Sequence, residues 1–207
     1  MSVQSRLFTR LHNAEFYRSA LRNAVRLLPA GEGRIFLDVG CGPGMLTRLA
    51  ADHGYQATGI DTDTSMIAAA RRLGRREQSS AVFVDRSLTD EPPMEPADVV
   101  AAASLLVVVP DPIVALGTLW QAVAPGGALL VVEATERLTT QRAASLIATG
   151  TLGRGATILR LWARARQGRT LDVSMLRGHP DTSEIVSTSL LDGMIGVWLI
   201  RPRIVSS

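Results

Sequence analysis

Residues 37–44 read Leu-Asp-Val-Gly-Cys-Gly-Pro-Gly, and this stretch decides the fold. The run from Arg34 to Val39 is nearly continuous in apolar residues apart from Asp38, which suits a central parallel strand covered on both faces. Gly40, Gly42 and Gly44 follow as G-x-G-x-G. That spacing permits positive φ angles and lets the backbone approach a ligand with no Cβ in the way. The N–H groups of such a loop and of the helix after it face an electronegative group. Asp61 comes twenty-one residues after Gly40, at the end of a second strand expected over 56–60, where a carboxylate accepts both ribose hydroxyls. Each signal has a plainer explanation: glycine turns also serve tight strand-to-helix packing, and Asp61 could cap the next helix. Asp63 and Thr64 are better placed for that cap.

Outward from this pair the same alternation continues. Helices are expected over 44–53, 64–74 and 112–124, and strands over 81–84, 98–103 and 128–133. Strands alternating with helices of this length give an α/β, doubly wound, mostly parallel sheet. Asp111-Pro112 places an N-cap before a proline at the first helical position, and Pro125-Gly126-Gly127 is expected to end that helix. Ahead of the core, Leu7, Leu11, Ala14, Tyr17, Leu21, Val25 and Leu28 recur in steps of three and four, as in an amphipathic helix or a broken pair stopped by Pro29. Residues 136–168 have helical character interrupted by Gly150, Gly153, Gly155 and Gly168, which reads as a mobile insertion. Residues 184–190 and 195–201 then alternate around Leu191-Asp192-Gly193, where the Asp-Gly pair supports a hairpin.

A length of 207 residues suits one domain with a full core better than two. Hydrophobic residues make up 46% and charged residues 20%, an ordinary soluble composition. The longest nearly apolar run, Val99 to Val109, stops at Pro110, short of a bilayer crossing, so no membrane span is expected. No secretory signal is recognisable, and a single Cys without a partner fits the cytoplasm. All 22 basic residues are Arg, but a net charge of +3 is weak ground for nucleic acid. The cluster Arg154, Arg160, Arg164, Arg166 and Arg169 reads first as a solvated helix face. One Cys and the scattered His12, His53 and His179 do not make a metal site.

The glycine spacing departs from the dinucleotide fingerprint, and Asp38 puts a negative charge where a pyrophosphate would be disfavoured and an ammonium favoured. Here a resemblance becomes specific. Residues 37–44 resemble the first motif of class I S-adenosylmethionine-dependent methyltransferases, and Gly59-Ile-Asp-Thr-Asp-Thr-Ser-Met66 resembles their second. Val84-Asp85-Arg86 resembles the third, Ala97-Asp-Val-Val100 the fourth, and Pro125 to Glu133 the stretch around the fifth strand. These elements follow the family's order over roughly residues 35–133.

The resemblance implies a seven-stranded Rossmann-like sheet with an antiparallel C-terminal hairpin. It implies a single methyltransferase domain over 1–207, divided into an N-terminal helical lid (1–30), a cofactor-binding core (31–134), a helical acceptor-side insertion (135–182) and the hairpin (183–207). S-adenosyl-L-methionine would be the cofactor and S-adenosyl-L-homocysteine the product. Gly40, Cys41, Gly42 and Gly44 would hold its methionine part, Asp38 would lie near its amino group, and Asp61 would take the ribose. Met66 would pack near the adenine, with Asp85 and the Arg86 backbone at its edge. Ser104 to Pro112 resembles the family's Ser-x-Leu-His-His-Leu-x-Asp-Pro, but Val107 and Val108 stand in place of the histidines. No Asn-Pro-Pro-Tyr or Asp-Pro-Pro-Tyr follows the fourth strand, which argues against methylation of base amino groups.

Methyl transfer from a sulfonium needs alignment more than a base. His12 and Glu133 are the candidate bases, with surface or capping roles as the default. The expected acceptor is a small molecule, hydrophobic or acidic, with Arg160 and Arg164 as a candidate clamp for an acidic group. An RNA methyltransferase, a cofactor-binding module without catalysis and a nicotinamide oxidoreductase remain open, as does the oligomeric state.

Overall fold

The computed structural model describes residues 11, 14–89, 95–153, 155–166, 169–178 and 182–202. The strands are β1 (Ile35–Val39), β2 (Gln56–Asp61), β3 (Val82–Asp85), β4 (Ala97–Ala103), β5 (Val123–Ala134), β6 (Thr182–Leu190) and β7 (Ile195–Pro202). The helices are α1 (Glu15–Arg26), α2 (Met45–Asp52), α3 (Thr64–Glu77), α4 (Pro112–Gln121), α5 (Thr140–Ala148), α6 (Gly155–Arg166) and α7 (Val173–Gly178).

The seven strands form one sheet in the order β3-β2-β1-β4-β5-β7-β6. β1 to β5 run parallel, β7 is antiparallel to β5, and β6 is antiparallel to β7. The chain winds outward from β1 through β2 to β3, then returns to β4 on the other side of β1. Ligands of open α/β sheets bind beyond the strand ends at such a reversal.

Period-two alternation along the central strands feeds a core on each face of the sheet. Leu130 and Val132 of β5 join Phe36, Val99 and Val197 under α1 and α2, where Leu21 and Leu46 are buried. Leu129 and Val131 point the other way, to Leu37, Val100, Trp198 and the α4 residues Leu116 and Leu119. Each fully buried Leu or Val contributes about 1.5–3 kcal/mol, so these two layers are the main stabilising term.

Local chemistry sets the ends. The Asp63 carboxylate accepts the Ser65 N–H at 2.9 Å and caps α3, leaving Asp61 for other work. Asp111 accepts the N–H groups of Ile113 and Val114, and Pro112 opens α4. α4 ends earlier than the expected 112–124, because Val123 already pairs with Ala97. Pro125-Gly126-Gly127 therefore forms an irregularity inside β5, with Gly126 at φ +77°, in place of a helix stop.

The insertion differs more. Gly150 and Gly153, at φ +74° and +49°, lie in the connection between α5 and α6 and do not break a helix. α6 buries Leu159, Trp162 and Ala163. The Trp162 ring stacks on Phe16 at 6.2 Å between centroids and meets Tyr17 edge-on at 5.9 Å. What reads in sequence as a loose, glycine-broken stretch is a helical layer docked on α1.

Candidate functional site

β1 ends in the glycine loop. Gly40, Gly42 and Gly44 have φ of +68°, +53° and +75°, and Gly44 is the N-cap of α2. A Cβ on Gly44 would come within 2.3 Å of Phe83 Cε1, so this position excludes a side chain on steric as well as conformational grounds. Asp61, at the end of β2, accepts the Gly42 N–H with Oδ2 and the Asp63 N–H with Oδ1, both at 2.8 Å. The carboxylate thus locks the glycine loop to the end of the neighbouring strand. Burial raises the Asp61 pKa from its ordinary value, against the lowering effect of those two N–H bonds.

Gly40, Gly42, Asp61 and Met66 line one cavity of about 690 Å³ together with Arg86 and residues 87–89 after β3. Its volume falls in the range of small-molecule sites. Its remaining walls come from the segment after β4, from α4, from Leu11 and from the end of α6.

The other candidates surround this cavity without all reaching it. Asp38 is 1% exposed and does not line it. Its Oδ2 accepts from the Thr47 hydroxyl at 2.7 Å, and its Oδ1 is buried with no hydrogen-bond partner. Burial pushes Asp38 up to about 7, the Thr47 hydrogen bond opposes this, and the Asp61 charge adds to it. Cys41 turns its side chain away from the cavity and is buried against Gly59, where an added Cβ would meet Cys41 Sγ at 2.9 Å. Burial raises its thiol pKa well above the ordinary value. Asp85 is exposed at the end of β3 and does not line the cavity, while the Arg86 N–H donates to the Asp61 carbonyl at 3.1 Å.

Glu133 lies beneath the site, not at an open rim. It is 1% exposed, its Oε1 accepts the Leu106 N–H at 2.7 Å, and its Oε2 is buried without a hydrogen-bond partner. Burial pushes it up to about 7, while the Arg166 charge and the backbone N–H groups of Leu106, Val107 and Ala134 pull it down. Arg166 is 4% exposed, lines the cavity and donates to the Ser104 carbonyl at 3.3 Å. Burial lowers its pKa and Glu133 raises it. The Tyr17 hydroxyl lies 2.9 Å from Ser104 Oγ, and Ser104 itself holds φ +58°. α1, the end of β4, the end of β5 and α6 are therefore tied by one buried polar cluster.

Sequence reasoning missed this cluster, and the two arginines it offered as a clamp lie on another face of α6. Arg160 and Arg164 are exposed and do not line the cavity, whereas Arg166 and Arg169 do. The available signal was the spacing of four between Trp162 and Arg166, which puts Arg166 on the buried side of α6. His12 and His179 lie outside the described residues, and His53 is half-buried with Nε2 3.3 Å from the Leu28 carbonyl. Among the described residues no group of three or more His, Cys, Asp or Glu is placed to hold a metal ion, and no helix is long and apolar enough to cross a membrane.

The family described as "Methyltransferase domain" matches residues 37–129. A trans-aconitate 2-methyltransferase of Rhizobium leguminosarum bv. trifolii is 34% identical over 113 residues, which are 53% of this chain and 42% of that protein. A ubiquinone biosynthesis O-methyltransferase of Pseudomonas paraeruginosa is 38% identical over 100 residues, 46% of this chain and 42% of that protein. These matches span less than half the length of either relative. Among solved structures, magnesium protoporphyrin IX methyltransferase of Synechocystis with bound S-adenosylhomocysteine superposes with TM-score 0.71 at 14% identity, covering 98% of this chain and 95% of that one. An N-methyltransferase of Bradyrhizobium japonicum, also with bound S-adenosylhomocysteine, gives TM-score 0.64 at 21% identity, covering 93% and 90%. Residues 37–129 thus match a methyltransferase-domain family, and nearly the whole chain shares the fold of these solved structures.

Proposed function

We propose that this chain binds S-adenosyl-L-methionine at the ends of β1 and β2 and transfers its methyl group to a small molecule, hydrophobic or acidic, releasing S-adenosyl-L-homocysteine. The observation that carries the reading is the 2.8 Å bond from the Gly42 N–H to Asp61, which joins glycine loop and carboxylate in the wall of one cavity. The residues fit the cofactor. The Asp61 oxygens retain acceptor capacity beyond two backbone N–H bonds and suit ribose hydroxyls. Asp38 keeps a buried, unpartnered oxygen behind the loop, which suits an ammonium held directly or through water. Met66 lines the cavity for the adenine, with the Arg86 backbone beside it. Asp85 at the adenine edge would need to turn inward from its exposed position.

Bound there, the sulfonium supplies an already electrophilic methyl group. The protein's task is then to align acceptor and methyl and to exclude water. Trp162 and Leu11 in the cavity wall support a lid role for the N-terminal helix and the insertion. Glu133, enclosed and bonded to Leu106, fits a strut and counter-charge better than a base. The small-molecule methyltransferases among the relatives support a small acceptor. A single buried, free cysteine fits a reducing compartment, which supports the cytoplasm.

The test is calorimetric titration with S-adenosylhomocysteine and, separately, with NADH. Binding of the first alone is expected, weakened about tenfold or more by Asp61→Ala through loss of hydrogen bonds to the ribose. Labelled-methyl transfer to metabolite pools but not to RNA completes it. Failure to bind S-adenosylhomocysteine would overturn the reading.

A further inference from the structure

We propose that the acceptor carries a carboxylate, gripped by the guanidinium groups of Arg166 and Arg169 at the α6 end of the cavity; this rests on the methyl-transfer reading above. Arg166 is the last residue of α6 and is 4% exposed, yet it lines the cavity beside Trp162 and Ala165. Arg169 lines the same cavity, and its N–H donates to the Arg166 carbonyl at 2.7 Å, so the two arginines are held close at the backbone.

The charges in the lining are segregated. Asp61 and Asp63 belong to the β2 end with Arg86 opposite them after β3, whereas Arg166 and Arg169 belong to the insertion. Glu133 balances Arg166 from beneath and does not reach the cavity. Among the described residues, then, one negative charge lies behind two positive ones, and Arg169 is not the group that Glu133 balances. Apolar side chains share the lining with the two arginines, Leu11, Val108, Val109 and Leu119 among them. A planar guanidinium fork matches a carboxylate better than it matches any neutral group. The molecule that satisfies this end is an apolar body with a carboxylate head.

The same chemistry has a second source, the amino-acid carboxylate of the cofactor, and the experiment separates them. The full chain, saturated with S-adenosylhomocysteine, is titrated with aliphatic and aromatic monocarboxylates from hexanoate to cinnamate and with the primary amide of each. Wild type, Arg169→Gln and Arg166→Lys are compared. Arg166→Lys keeps a positive charge above Glu133, so the fold survives where a neutral residue would leave that carboxylate uncompensated. Acids are expected to bind about tenfold or more tighter than their amides in wild type. Arg169→Gln is expected to erase that preference and Arg166→Lys, which loses the fork and keeps the charge, to weaken it, while S-adenosylhomocysteine affinity stays within about twofold of wild type in both. If acids and amides bind alike, or no acid binds, the inference falls while cofactor binding still stands. If the variants weaken S-adenosylhomocysteine instead, the arginines hold the cofactor's own carboxylate and the inference is overturned. If wild type does not bind S-adenosylhomocysteine, the methyl-transfer reading fails and takes this one with it.

Discussion

A carboxyl group taken out of water with only one oxygen satisfied holds its proton to unusually high pH. Asp38 is in that state, pushed up to about 7 chiefly by burial. Only the ionised form attracts an ammonium, so an amino group docking near it must bind better as pH rises through that value. Affinity for S-adenosylhomocysteine is therefore expected to increase from about pH 6 to about pH 8 and then level off. Asp38→Asn should bind more weakly and lose this dependence, since its amide does not titrate. Calorimetry across the range checks it, and a wild-type profile as flat as the variant's would remove Asp38 from the binding site. Asp38 and Asp61 were both legible in the sequence because the loop motif is local. The Glu133 and Arg166 pair was not, because its partners lie on β5 and α6, and only packing brings them together.

At the scale of elements, glycines of similar φ carry different loads. Gly44 holds φ +75° and its Cβ position is occupied by Phe83 and Ala70, whereas Gly126 holds φ +77° with nothing within 4 Å. Gly44→Ala combines left-handed strain with overpacking, for a loss of about 3 kcal/mol or more. Gly126→Ala meets strain alone, about 1–2 kcal/mol. Urea unfolding of both variants measures the difference, and equal losses would mean that the tip of β3 and the α2 start yield easily. The same contrast explains what could be read from sequence. Caps such as Asp63 and Asp111, the continuous apolar strands and the Asp-Gly hairpin are specified by neighbours in the chain. The end of α4 was misplaced because pairing of Val123 with Ala97 overrides a helical pattern that continues past Gln121. The insertion was misread because its order comes from Trp162 docking on Phe16 and Tyr17, contacts that span most of the chain.

For the whole molecule, the buried acids make stability depend on pH in an unusual direction. Asp38 and Glu133 are both raised to about 7 in the folded chain, from ordinary values of 3.8 and 4.5. Between those limits the native state binds more protons than the unfolded chain, so stability falls as pH rises through the window and levels off above 7. Each such group contributes a slope of up to about 1.4 kcal/mol per pH unit. Acids with lowered pKa, Glu15 and Asp172, pull the other way, but both are fully exposed and their effect is small. Ligand-free protein is therefore expected to show its highest melting temperature toward the acid side of the window, declining to a plateau near pH 7. Asp38→Asn should flatten part of the decline. Adding Glu133→Gln should remove most of the rest, because its amide oxygen can still accept the Leu106 N–H while carrying no charge to titrate. Saturating S-adenosylhomocysteine should oppose the trend in wild type, because an ammonium beside Asp38 stabilises the ionised form and its contribution grows with pH. Scanning calorimetry over the window, with and without ligand, decides the matter, and a melting temperature that climbs from pH 5 to 7 in the free protein would show that these two carboxyls are not held protonated by burial.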